Sequence, residues 1–273
     1  VRALEFIDSW NAEHVAAGVI DASGAVSTRG DIDEPFALAS VTKLLSAFCT
    51  LIAIEEGTIG LGDAAGPPGS TIEHLLAHAS GLGPNDPSQV LAAPGTRRIY
   101  SNAGYELLAS TVAEKAEMDF AAYMRVGLLE PLGMFSTHLS GSAARDATGT
   151  VRDLLFFCAE LLSPHLIDGK TLHHAVSVAF PGLAGVLPGF GYQHPCDWGL
   201  GFELKDAKAP HWTGARNSAA TFGHFGRSGT FLWVDPEASV ALVALSDFPF
   251  GTWAGSAWPA IADAVLVEHG ACD

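Results

Sequence analysis

The sequence predicts an α+β fold: an antiparallel sheet assembled from both ends of the chain, flanked by helices, with a helical region inserted between them. Three observations carry this. Residues 14–29 read as two short strands joined by a turn. Residues 40–162 are apolar mainly at helical spacing. From Trp198 the apolar period drops from 3.6 to 2 and holds to Leu245. The expected organisation is one domain over 1–273. Residues 1–39 plus 196–273 form the sheet and terminal helices, and 40–195 form a mainly helical part.

Ala3–Trp10 has the pattern of a short amphipathic helix. His14–Asp21 is strand-like, and Ala22-Ser-Gly24 turns it into a second strand through Arg29. Asp31–Pro35 is a polar connection. Phe36–Ile54 reads as a buried helix continuing to about Glu56, with Gly57 and Gly60 ending it. Thr71–His78 is a short helix that Ala79–Pro84 breaks, and residues 84–99 read as an irregular surface loop. Helices follow over Asn102–Lys115, Phe120–Leu129 (stopped by Pro131-Leu-Gly133) and Thr148–Leu162. Residues 164–196, rich in Gly, Pro and His, read as helix remnants and loop. Strands are expected at Trp198–Leu204, Ala219–Phe225, Gly229–Val234 and Ser239–Leu245, then a closing helix, Trp253–Glu268.

The 273 residues are 48% apolar, enough for a large core. No apolar run reaches the roughly 20 residues a membrane span needs. With 14 basic and 30 acidic residues the formal charge is −16, which argues against nucleic acid or an anionic membrane as partner. Cys49, Cys158, Cys196 and Cys272 form no Cys-x-x-Cys motif and are expected to be reduced. That favours a cytoplasmic location. A periplasmic or secreted form is the alternative if a leader was removed.

The chemistry-bearing stretch is Ser40-Val-Thr-Lys43. Positions i and i+3 share a helix face, so the serine hydroxyl and the lysine amine meet at one spot. A lysine kept partly neutral by burial can take the serine proton. The same pattern also arises from a capping serine beside a solvated lysine. Tyr100-Ser-Asn102 sits where a loop enters a helix. Tyr100 can relay or hold a proton beside a lysine, which would lower its own pKa, and the Asn102 amide can hold a substrate carbonyl. Ser101 or Asn102 as a plain helix cap is the other reading. Gly223-His224-Phe-Gly226-Arg227 lies on a strand, where glycine marks close backbone approach and a backbone N–H can face an oxyanion. His224 can contact substrate or adjust the Lys43–Tyr100 pair, or simply pack. Arg97 and Arg98 read as solvated loop charges. Trp198 or Trp212 can line an acyl pocket. His173, His174, His194, His211 and Cys196 offer no closed zinc ligand set, so no metal is expected. No Gly-x-Ser-x-Gly elbow is present.

Taken in order, these three elements resemble those of the serine penicillin-recognising hydrolases, specifically the class C β-lactamase-like family. Four further segments are similar to that family: His74-Leu-Leu-Ala-His78-Ala-Ser-Gly-Leu82, Pro94-Gly-Thr-Arg-Arg-Ile-Tyr-Ser-Asn102, Pro131-Leu-Gly-Met134 and Gly199-Leu-Gly201. The resemblance covers nearly the whole chain and implies a β-lactamase/transpeptidase-like fold. It implies Ser40 as nucleophile, Lys43 and Tyr100 sharing the proton transfer, and Asn102 and His224 at the substrate beside Gly226. The backbone N–H groups of Ser40 and Arg227 form the oxyanion hole. His78 and Ser80 are implied as loop braces.

The third element is His224-Phe-Gly226 where β-lactamases carry Lys-Thr-Gly. The expected function is therefore hydrolysis of a small ester or amide through an acyl-Ser40 intermediate, with an esterase ranked first, without a cofactor. A D-Ala-D-Ala carboxypeptidase or penicillin-binding protein comes second and a β-lactamase third. The non-enzyme alternative is a catalytically idle scaffold. The expected partner is a small ester or peptide substrate.

Overall fold

The computed structural model describes residues 1–270; Cys272 lies outside the described residues. A 3-10 helix, Arg2–Ser9, opens the chain, followed by β1 (Val15–Asp21) and β2 (Val26–Arg29). β3 (Phe36–Ala37) and a 3-10 turn (Ala39–Val41) lead into α1 (Thr42–Glu55). The helical middle holds α2 (Ile72–Leu76), α3 (Asn102–Ala116), α4 (Phe120–Met124), a π-helical turn (Arg125–Leu129) and α5 (Glu130–Leu132). Next come β4 (His138–Leu139), β5 (Ala147–Gly149), α6 (Val151–Leu162), α7 (Gly169–Ala175) and the pair β6 (Gly185–Leu187) and β7 (Gly191–Gln193). β8 (Glu203–Leu204), β9 (Phe222–Gly226), β10 (Thr230–Asp235), β11 (Val240–Ser246) and α8 (Ala254–Glu268) complete it.

The main sheet has the order β2-β1-β11-β10-β9-β8, antiparallel at every pairing. Both chain ends meet at β1 and β11, with Val15 opposite Ser246 and Asp21 opposite Val240. Alternate residues face opposite sides of a strand. Leu232, Val234, Ala241, Val243 and Leu245 therefore join the core with α1 and α6. Phe231, Trp233, Val240, Leu242 and Ala244 join a second core with the N-terminal 3-10 helix and α8. Residues Thr42 through Ala53 of α1 are all buried, as expected of a helix apolar all round. Among the described residues no helix is long and apolar enough to cross a membrane.

Several boundaries differ from the sequence reading. Phe36–Ile54 is not one helix. Phe36 and Ala37 pair with Gly149 and Thr148, Ala39 takes the left-handed φ of 45°, and α1 starts only at Thr42. Thr148 belongs to β5, and α6 begins after Thr150, whose hydroxyl caps the Asp153 N–H at 3.2 Å. Trp198–Leu204 shortens to β8 because Gly201 turns the chain at φ 95°. A β-carbon at Gly201 would lie 2.0 Å from Ala47 Cβ on α1, so only glycine allows this approach. Residues 164–196 contain α7 and the β6–β7 hairpin, elements too short to show a period.

Candidate active site

Ser40 sits in the 3-10 turn before α1, held from the far end of the chain. The Ser228 hydroxyl donates to Ala37 O at 2.6 Å, and the Thr230 hydroxyl donates to Leu38 O at 3.0 Å. The half of β9 beyond β8 runs beside this turn. A β-carbon at Gly226 would meet Leu38 O at 2.4 Å and Ala39 Cβ at 3.1 Å, so the approach requires glycine. The left-handed Ala39 costs about 1 kcal/mol, strain of the kind found at functional turns.

Lys43, on the first turn of α1, is fully buried. Its Nζ lies 2.7 Å from Asn102 Oδ1, 2.8 Å from Ala144 O and 3.3 Å from Ser40 Oγ. It also stands 4.6 Å from the centroid of the Tyr100 ring. Burial, with help from the Arg145 charge and against that of Glu106, pulls the ammonium pKa down to about 7. A neutral amine has two N–H bonds and one lone pair. Asn102 Oδ1 and Ala144 O can only accept, so they take the two N–H bonds. The lone pair is left for the Ser40 hydroxyl, which is the arrangement of a general base.

Asn102 opens α3, where Ser101 is the cap and accepts from Gly104 N at 2.9 Å. Its Nδ2 donates to Asn85 Oδ1 at 2.8 Å, which fixes Oδ1 toward Lys43. Tyr100, just before the cap, packs against His78, Trp198 and His224, at ring-centroid distances of 4.7, 6.0 and 5.5 Å. Its hydroxyl is 2.9 Å from His224 Nε2. The sequence reading has a neighbouring lysine lowering the Tyr100 pKa. The structure reverses this: burial raises it, although Ser40 pulls the other way, so Tyr100 is a neutral phenol. His224 is buried under Tyr100 on β9, and burial with the nearby Lys43 charge pulls its pKa to about 3. It is a neutral imidazole.

A cleft of about 550 Å³ opens over the site, lined by Ser40, Asn102, Asn85, Glu106, Arg145 and Arg227 among others. That volume suits a small molecule. The structure thus brings Ser40, Lys43 and Asn102 into hydrogen-bond range. It sets Tyr100 beside them, Gly226 against their turn and Arg227 on the cleft wall. His224 lies one layer below, reaching the site through Tyr100.

Other expectations are corrected. Arg98 is not a solvated charge. It is 3% exposed and donates to Cys196 O at 3.0 Å, Ala179 O at 2.8 Å, Phe180 O at 3.2 Å and Ala77 O, pinning the loop that delivers Tyr100. Neither tryptophan lines the cleft: Trp198 packs behind Tyr100 and His224, and Trp212 lies on the other face of the sheet against Phe225 and Phe231. His78 Nδ1 accepts from Ser101 N at 3.2 Å, which braces the α3 cap. His211, weighed as a zinc ligand, spends its nitrogens on Thr213 and Glu203. The reading missed Ala144 O and Asn85, which no motif marks. It also missed Glu203, whose one signal is a carboxylate on an otherwise apolar strand.

The model of the family described as Beta-lactamase matches residues 10–266. The chain belongs to the β-lactamase family. The structure of a β-lactamase from Mycobacterium bovis is 51% identical, with a TM-score of 0.96, covering 98% of this chain and 99% of that one. The D-alanyl-D-alanine-carboxypeptidase/endopeptidase AmpH of Escherichia coli K12 is 24% identical over 147 residues, 41% of this chain. The match spans only 38% of AmpH's own length. EstCE1, a hydrolase with promiscuous acyltransferase activity, shares the fold with a TM-score of 0.77 at 17% identity, over 97% of this chain and 96% of that one. Members of the β-lactamase family are serine hydrolases, and the specific activity varies among these neighbours.

Proposed function

We propose that this chain is a serine hydrolase that cleaves small esters through an acyl-Ser40 intermediate. The observation that carries the reading is the pairing of Lys43 Nζ with Ser40 Oγ at 3.3 Å, with both other amine positions taken by acceptors. Lys43 takes the Ser40 proton as Oγ attacks the ester carbonyl. The backbone N–H groups of Ser40 and Arg227 receive the oxyanion. The Lys43 ammonium returns its proton to the leaving alkoxide as the C–O bond breaks. Water, deprotonated by Lys43, then attacks the acyl-serine, and the proton passes back to Ser40. Asn102 orients both the amine and the acyl side. Tyr100 stays a phenol beside Ser40, and His224 acts through it. The reaction as written needs no cofactor.

A D-Ala-D-Ala carboxypeptidase is the second reading. The AmpH match and the two arginines of the cleft, Arg145 and Arg227, which suit a substrate carboxylate, favour it. β-Lactamase action ranks third because His224 stands where those enzymes carry lysine. Incubation with a fluorophosphonate and with a labelled penicillin, followed by peptide mapping, separates these. An adduct on Ser40 with fast p-nitrophenyl ester turnover and no nitrocefin hydrolysis is the expected result. A persistent penicillin adduct selects the carboxypeptidase. Absence of any Ser40 adduct removes the enzyme reading and leaves the idle scaffold.

A further inference from the structure

Behind His224 lies a second layer of charge. Glu203, on β8 opposite Gly223 of β9, has a fully buried carboxylate. Its Oε1 is 2.9 Å from His211 Nε2 and 3.4 Å from Lys208 Nζ. Its Oε2 accepts from Trp212 Nε1 at 2.8 Å and lies 3.9 Å from His224 Nδ1. That Nδ1 is buried and has no hydrogen-bond partner. Burial alone would raise the Glu203 pKa. Lys208 and His211 outweigh it and hold the carboxylate ionised, with a pKa of about 2.

We propose that Glu203 is a positioning residue for the Ser40 site: its carboxylate keeps the His224 proton on Nδ1 and so turns the Tyr100 phenol proton toward His224 and away from Ser40. A neutral imidazole carries one proton, on either nitrogen. With the proton on Nε2, a lone pair on Nδ1 faces a carboxylate, which is repulsive. Nε2–H then donates to the phenol oxygen, and the phenol's own proton swings toward Ser40 Oγ, where it blunts the nucleophile. With the proton on Nδ1, the N–H dipole points at Glu203 and the Nε2 lone pair accepts from Tyr100. The phenol oxygen then offers lone pairs, not a proton, to Ser40. The charges around His224 are Glu203 with its ion-pair partner Lys208, and Lys43, with the neutral His78 nearby. Burial, helped by Lys43 and to a lesser degree Lys208, outweighs the carboxylate, so Glu203 sets the tautomer and leaves the ring neutral.

The kinetic part of the test rests on the acyl-serine reading; the spectroscopic part does not. Long-range proton–nitrogen correlation on the full chain, labelled with ¹⁵N-histidine, reads the tautomer at neutral pH, with His224 assigned through His224→Gln. The expected wild-type signature is a protonated Nδ1 and an unprotonated Nε2, shifting toward Nε2–H in Glu203→Gln. The kcat of Glu203→Gln for p-nitrophenyl butyrate should fall about 10- to 100-fold, with KM changed less than about twofold. Added to His224→Gln, Glu203→Gln should cost less than about another twofold, since both act through one group. A wild-type His224 protonated on Nε2 overturns the proposal, and this measurement decides even if Glu203→Gln fails to fold. Full additivity of the two substitutions, or an unchanged tautomer in Glu203→Gln, also overturns it. A wild-type protein inert toward esters would count against the ester-substrate reading, and the tautomer would still decide the role of Glu203.

Discussion

Asn102 Oδ1 lies 2.7 Å from Lys43 Nζ, closer than the Ser40 hydroxyl at 3.3 Å. The amide oxygen therefore holds the amine in place without adding a charge to it. Asn102→Asp puts a carboxylate at the same distance. Opposite charge so close raises a lysine pKa by about 1–3 units. The acid limb of kcat/KM should move to higher pH by at least about one unit, with turnover at pH 7 falling about fivefold or more. A pH–rate profile of p-nitrophenyl ester hydrolysis checks this. An unmoved limb would remove Asn102 from the control of Lys43.

The wild-type profile has its own expected form. The Lys43 pKa is about 7, so activity should rise with pH through that value as the amine becomes neutral. Lys43→Arg keeps the positive charge but cannot supply a lone pair at any working pH. It should lose about 10²- to 10⁴-fold in kcat/KM with no recovery at high pH. Recovery at high pH would assign the base elsewhere.

Folding stability should carry the same lysine's mark. The unfolded amine titrates near 10.5 and the folded one near 7. Between those values the unfolded chain binds more protons, so stability rises with pH across the window. The penalty for burying this amine is fully present below the folded pKa and relieved above the unfolded one. His224, with its pKa lowered from 6.5 to about 3, adds a term of the same sign lower down: stability is lost as pH falls between those values. Urea melts of wild type and Lys43→Met between pH 6 and 9 should show a positive slope in the first that is reduced in the second.

Gly226→Ala tests the approach of β9 to the nucleophile. The added carbon meets Leu38 O at 2.4 Å and Thr230 Oγ1 at 2.4 Å. Overpacking of this kind costs about 1–3 kcal/mol. The turn that carries Ser40 must shift to relieve it, so kcat should fall more steeply than thermal stability. Activity and thermal melts on one preparation compare the two.

Arg98→Ala should destabilise the fold by about 2–4 kcal/mol by stranding buried carbonyls, Cys196 O and Ala179 O among them. The same loop carries Tyr100, so ester turnover should fall even below the melting transition. Denaturant unfolding monitored by tryptophan fluorescence measures the first effect.

The large elements were legible because they are long, nearly unbroken apolar runs bounded by turn residues. β10 and β11 are buried along their whole length, and α1 is buried from Thr42 through Ala53. Ser40, Lys43, Tyr100 and Asn102 stood out because their side chains carry chemistry at short, ordered spacings. What escaped was tertiary in origin. Arg98 looked like loop charge because nothing local announces that four carbonyls from three distant segments converge on it. The Tyr100 pKa was misjudged because a neighbouring lysine suggests one sign, while burial imposes the other. β3, β4 and β5 have two or three residues each, and their pairing is fixed by the partner strand.

The bonds from Ser228 and Thr230 to the Ser40 turn cross 191 and 192 positions of sequence. Contacts so far apart pay their loop-closure entropy before they reward it. The turn that carries the nucleophile is thus complete only once β10 and the residues before it have closed on it. A chain cut short before β9 would still hold Ser40, Lys43, Tyr100 and Asn102, yet it would have no strand to hold the serine. Acylation of Ser40 then reports on the finished topology of the molecule, and a covalent serine probe becomes a stopwatch for its folding.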